Sequence, residues 1–95
     1  MSKSIIQENN TECFICGSQY GLERHHVMFG TSGRKLSERY GMTVMLCYEH
    51  HRGRHGVHGM DGKELNRQLH IVAQTAFEKL YGHDEWMQIF KKNFL

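Results

Sequence analysis

No stretch of this 95-residue chain approaches the roughly 18 consecutive apolar residues that a membrane span requires. Met1-Ser2-Lys3-Ser4 leads into no signal-peptide core. A cytoplasmic protein without a membrane partner is therefore expected. Cysteine is scarce, and its count of three is odd, so the thiols cannot all pair off. In a reducing compartment disulfides are rare, and a C-x2-C pair reads as metal-binding or redox. A redox motif normally sits where a strand enters a helix within a βαβ pattern, and that pattern is absent here. Size is limited too. A single domain of this length buries only about 60–70% of its unfolded surface, which makes a structural metal a sensible supplement to the core.

What the chain does hold is concentrated. All three cysteines and most of the eight histidines lie between Cys13 and His58. Cys13-Phe-Ile-Cys16 and Cys47-Tyr-Glu-His50 are two ligand pairs of equal spacing, separated by a hairpin-sized excursion. Such a set suits a closed tetrahedral Cys3His site for structural Zn²⁺, which contributes folding energy outright. His50 is favoured over His51 because it repeats the spacing of the first pair. The doublet His25-His26 lies in the excursion. Neighbours on a strand point to opposite faces, so one imidazole can serve a metal and the other a substrate. With an ordinary pKa near 6.5, histidine is a natural general base at neutral pH. Once the zinc site is filled, His51, His55 and His58 remain available.

The net charge of +2 is unevenly placed. Residues 24–58 carry six basic side chains (Arg24, Arg34, Lys35, Arg39, Arg52, Arg54) against Glu38 and Glu49, a local charge of +4; the remainder carries −2. A basic excess on the ligand-rich segment is the footprint of a docked polyanion.

The chain reads as a polar N-terminal tail (1–10), a zinc-stapled core (11–60) and a C-terminal helical extension (61–95) packing on it, one domain overall. Tyr20 to Phe29 is expected to form a strand, broken by Gly30-Thr-Ser-Gly33. Arg34 to Gly41 reads as a polar loop with one helical turn at Ser37–Tyr40. Met42–Leu46 is the clearest strand and ends on Cys47. A short helix then begins, on which His51 and His55 would share a face, with Gly56 as its stop. Gly56–Gly62 is a connector. Asp61-Gly-Lys-Glu64 resembles a capping box opening a helix over 62–81, with Leu65, Leu69, Val72, Ala73, Ala76 and Leu80 on its apolar face and His70 outside it. Asp84 would cap a last helix carrying Trp86, Ile89, Phe90 and Phe94.

The run "CFIC", "ERHHV", "VMLCYEHH" and the following His-rich turn resembles the HNH endonucleases, also called His-Me finger or ββα-metal nucleases. It is most similar to the small zinc-knuckle type common in phages and prophages. The resemblance covers about half of the chain and, less specifically, the C-terminal helices. It implies an α+β fold: a small ββα-metal core with a Cys3His zinc site, followed by two helices. It also implies hydrolysis of DNA phosphodiester bonds, with His26 as the catalytic base. The metal ligand before the base falls on His25, and the last histidine of the motif falls on His51. His55 or His58 would lie nearby. The cation so held would be Mg²⁺, Mn²⁺, Ni²⁺ or Zn²⁺, and Arg34, Lys35, Arg52 and Arg54 would hold DNA backbone phosphates with little sequence specificity. The family's middle asparagine would fall at Met42, and no asparagine occurs between Asn10 and Asn66. The backbone, Thr43 or a loop serine must then brace the loop that orients the base. So small a protein has little surface for recognition beyond the site, which leaves room for a second copy of the chain or a recombination partner. The competing reading is a zinc-knuckle DNA- or protein-binding module without hydrolytic activity.

Overall fold

The β-favouring run Thr43-Val-Met-Leu46 forms strand β2, and Glu23–His26 forms β1 antiparallel to it. The register pairs Glu23 with Leu46, Arg24 with Met45, His25 with Val44 and His26 with Thr43. The computed structural model describes residues 3–95. Four helices complete a small α+β architecture: α1 (Thr31–Tyr40) between the strands, then α2 (Tyr48–His51), α3 (Lys63–Tyr81) and α4 (His83–Phe90). No helix among the described residues is long and apolar enough to cross a membrane.

The core draws its buried residues from β2, α3 and α4 and from the chain beside the strands. Val27, Met42, Val44, Leu46, Leu69, Ala73, Phe77 and Trp86 are all buried. On α3 the buried line runs Leu69, Ala73, Phe77, one residue in four, so it clears one side of the helix. The expected apolar face is accordingly rotated: Phe77 joins it, while Val72 and Leu80 are exposed. Trp86 stacks on Phe90 with ring centroids 4.1 Å apart. Its indole N–H donates to the Lys92 carbonyl at 2.8 Å, so this large ring is buried without an orphaned donor.

Several local expectations are corrected. The strand expected over 20–29 is limited to Glu23–His26, because Val27 already bonds the Met42 carbonyl where the chain turns away. The stretch read as a loop is the ten-residue α1. Gly41 (φ 73°) closes it in a left-handed conformation that suits glycine. The helix begun at Cys47 ends after one turn, so His51 and His55 share no face. Asp61 caps nothing: α3 has no side-chain cap, and the Asp61 carboxylate accepts instead from Arg54 at 3.0 Å. Asp84 lies in the first turn of α4 after Gly82, placed to favour the helix dipole rather than to cap. That helix stops at Phe90, where Lys91 turns left-handed (φ 60°), so Phe94 reaches the core from the chain beyond it.

Residues 1 and 2 of the expected tail lie outside the described residues. Residues 4–7 lie along β2. The Ser4 hydroxyl donates to the Thr43 carbonyl (2.6 Å), and Ile5 N–H donates to Gly41 O (2.8 Å). The Gln7 side-chain oxygen accepts from Met45 N–H (2.7 Å). Ile5 and Ile6 pack on the core. The polar residues of this segment thus satisfy the backbone on the free side of β2 while the two isoleucines cover apolar surface.

Candidate metal centres

Cys13 and Cys16 sit on a turn closed by Gly17 N–H donating to Cys13 O at 2.9 Å, and Gly17 has the positive φ of 77° that the turn demands. Cys47 is the residue on which α2 starts, and His50 follows one turn along, so the helix aims both at the first pair. One ligand atom from each of Cys13, Cys16, Cys47 and His50 falls within 4.8 Å of the others. The Cys16 and Cys47 sulfurs are 3.7 Å apart, and His50 Nδ1 lies 3.3 Å from Cys47 Sγ and 3.8 Å from Cys13 Sγ. No disulfide forms. Bond lengths of about 2.3 Å (Zn–S) and about 2.0 Å (Zn–N) give a tetrahedron with edges of about 3.8 and about 3.5 Å. The four residues therefore lie together in an arrangement compatible with a zinc site. Burial would push the Cys13 thiol up, but backbone N–H groups of Cys47, Cys16 and Ile15 outweigh it and hold the thiol below its ordinary range.

A second cluster joins His25, His51 and His58, again with one ligand nitrogen of each within 4.8 Å of the others. Ring centroids are 5.2 Å apart for His25 and His51, 5.3 Å for His25 and His58, and 4.9 Å for His51 and His58. His25 is 2% exposed, and its Nε2 is buried without any hydrogen-bond partner. A buried nitrogen without a partner, on a ring beside two other imidazoles, is a group that a bound cation could satisfy. Burial, reinforced by His51 and His58, pushes the His25 pKa down to about 3, so the ring is neutral and its lone pair available at neutral pH. His51 Nδ1–H donates to Glu23 Oε1 at 3.0 Å, which leaves Nε2 as its free ligand atom. Arg52 donates to the same oxygen at 2.8 Å.

The third histidine is His58, not His55. His55 is exposed and lies 3.6 Å from Asp61. His58 N–H donates to the His51 carbonyl at 2.9 Å, which folds the loop back over α2. Glycine makes that return passable: a Cβ on Gly59 would overlap the Gly53 and Arg54 carbonyl oxygens. Gly59→Ala is expected to cost about 1–3 kcal/mol, measured by urea unfolding, and to weaken cobalt binding by the three histidines. Unaltered cobalt binding would show that this loop does not set the place of His58.

Strand alternation sorts β1 into two sides. Glu23 and His25 meet His51, whereas Arg24 and His26 meet Glu38 on α1. His26 Nε2–H donates to Glu38 Oε2 at 2.8 Å, and Arg24 lies 3.3 Å from the same oxygen. The two sides reunite at the strand end, where His25, His26, His51 and His58 line one cavity of about 260 Å³ with Arg24, Arg34 and Arg52. Phe29, half exposed, leans on His58 at its rim (5.6 Å between centroids). An adjoining groove is lined by His26, Arg34, Lys35 and Glu38. Arg54 is not brought there; it pairs with Asp61.

Glu23 and Glu38 are the site residues that sequence reasoning missed. Glu23 had a signal, lying two residues before His25 and hence on its face of the strand. Glu38 had none without α1. His70, expected outside the apolar face of α3, is half-buried, bonds the Val27 carbonyl at 3.1 Å and stacks on Phe94 at 4.7 Å. Burial lowers its pKa. Comparison of the chain with family models, with curated proteins and with solved structures returned no match.

Proposed function

We propose that this protein is a metal-dependent endonuclease of the HNH (ββα-metal) type, hydrolysing phosphodiester bonds of DNA. The observation that carries the reading is the convergence of His25, with its buried and unpartnered Nε2, on His51 and His58 in a basic cavity that also holds His26. A structural module would leave three converging imidazoles without a purpose. Cys13, Cys16, Cys47 and His50 are assigned to structural zinc, and His25, His51 and His58 to a catalytic divalent cation.

A divalent cation held by His25, His51 and His58 would supply positive charge to offset that on the scissile phosphate and the leaving 3′-oxygen. His26 takes a proton from the water that attacks phosphorus in line; the P–O3′ bond breaks opposite it, leaving a 5′-phosphate and a 3′-alkoxide that takes its proton from solvent. Arg34, Lys35 and Arg52 hold flanking backbone phosphates, which gives salt-dependent binding with little sequence information. Imidazole ligands favour the later transition metals, so Mn²⁺ or Ni²⁺ should support the reaction at least as well as Mg²⁺ in vitro.

The test is incubation of zinc-loaded protein with supercoiled plasmid and added Mg²⁺, Mn²⁺ or Ni²⁺, followed by gel electrophoresis. Nicked or linear product that disappears with EDTA is expected. Intact plasmid under all three metals, with DNA still bound, would sink the enzyme reading in favour of a binding module.

A further inference from the structure

We infer that Glu38 is the positioning residue for His26, fixing its ring in the Nε2–H tautomer so that Nδ1 carries the proton-accepting lone pair, while the adjacent Ser37 braces the backbone beneath it. The catalytic part of this inference rests on the reading of His26 as the base. An ionised carboxylate only accepts hydrogen bonds, so the 2.8 Å contact requires the proton on Nε2. The hydrogen bond from His26, aided by the charge of Arg24, holds the Glu38 carboxyl below its usual range and keeps it ionised.

Placement argues for a role other than binding. Glu38 stands in a groove whose other charged members are Arg24, Arg34 and Lys35 with His26. An anion on that wall opposes a polyanion, so its electrostatic effect on DNA binding is unfavourable. What it contributes is orientation. Ser37 complements it: the fully buried hydroxyl donates to Met28 O at 2.8 Å and accepts from Met28 N–H at 3.0 Å, two residues beyond His26. One turn of α1 thus holds both the ring and the chain that carries it. Thr43, the register partner of His26, has its carbonyl occupied by Ser4.

The experiment uses the ¹⁵N-labelled full chain, zinc-loaded, at about pH 8, where an ordinary imidazole is neutral. The His26 ring signals, assigned with His26→Ala, report the tautomer by long-range ¹H–¹⁵N correlation, and plasmid cleavage in Mn²⁺ reports kcat and KM. Wild type is expected to show the Nε2–H form. Glu38→Ala should lose that preference and lower kcat on the order of 100-fold, with KM unchanged or reduced. Glu38→Gln, whose amide oxygen still accepts the N–H, should restore the tautomer and most of kcat. An unchanged tautomer in Glu38→Ala overturns the inference, as does an effect confined to KM. Should wild type cut no DNA, the ring spectra still decide the positioning while the nuclease reading fails separately.

Discussion

Cys13→Ser is expected to lower the melting temperature by about 15 °C or more and, on the zinc assignment proposed above, to release that metal from the cysteine cluster. His25→Ala should lower it on the order of 5 °C and keep that metal. The contrast follows from what each cluster connects. Cys13 and Cys16 belong to a turn joined to the rest of the chain by few backbone bonds, notably Phe14 N–H to Met45 O at 2.8 Å. Their thiolates, tied through a metal to Cys47 and His50, would lock that turn to the start of α2. Cys13 and Cys47 are both buried, so losing one ligand also leaves charged or polar groups facing apolar neighbours. His25 is buried as well, but its Nε2 makes no hydrogen bond that truncation could break. Its removal leaves a small cavity and relieves an orphaned polar atom, two effects of opposite sign. Melting curves and metal analysis of the two variants decide the matter. Equal loss of fold in both would mean that the proposed division into a structural and a catalytic cluster is misassigned.

His26→Ala is expected to reduce plasmid cleavage about 1,000-fold while leaving DNA affinity and melting temperature nearly unchanged. His26 lies outside the three-histidine cluster, so its truncation should not expel the cation. Its ring is partly exposed and bonds only one carboxylate that solvent also reaches, so stability should change little. The lost function is proton removal, for which hydroxide at neutral pH is a poor substitute. Cleavage rates, gel-shift affinity and melting of the variant beside wild type provide the measurement. Equal cutting by the two proteins would remove His26 from the mechanism and direct attention to a hydroxide formed without a side-chain base.

The two ligand sets were legible in the sequence to different degrees. The cysteine cluster was readable in full because equal spacings on a turn and a helix start encode its geometry locally. The histidine cluster was readable only in part. Helical periodicity pointed from His51 to His55, but α2 ends at His51 and a glycine-dependent loop delivers His58 instead. Glu38 was invisible because α1 looked like a loop. Thr31-Ser-Gly-Arg-Lys-Leu-Ser-Glu-Arg-Tyr has a glycine inside and few apolar residues, and its one fully buried side chain is a serine serving the backbone of Met28. Residues 4–7 were misread for a related reason: their polar side chains are used against β2 rather than against water. Tertiary hydrogen bonds, rather than hydrophobic period, place these segments.

The neighbours His50 and His51 give the protein an order of events in time. They occupy successive positions of a single helical turn, one facing the cysteines and the other facing His25 and His58. Until the cysteine cluster closes, that turn lacks its tie to Cys13 and Cys16, and His51 rests on its bond to Glu23 and on backbone bonds. Under the proposed assignment, the structural ion loads before the catalytic one, and a newly made chain stays inert toward DNA until it has matured. Metal supply then acts as a checkpoint on when cutting begins.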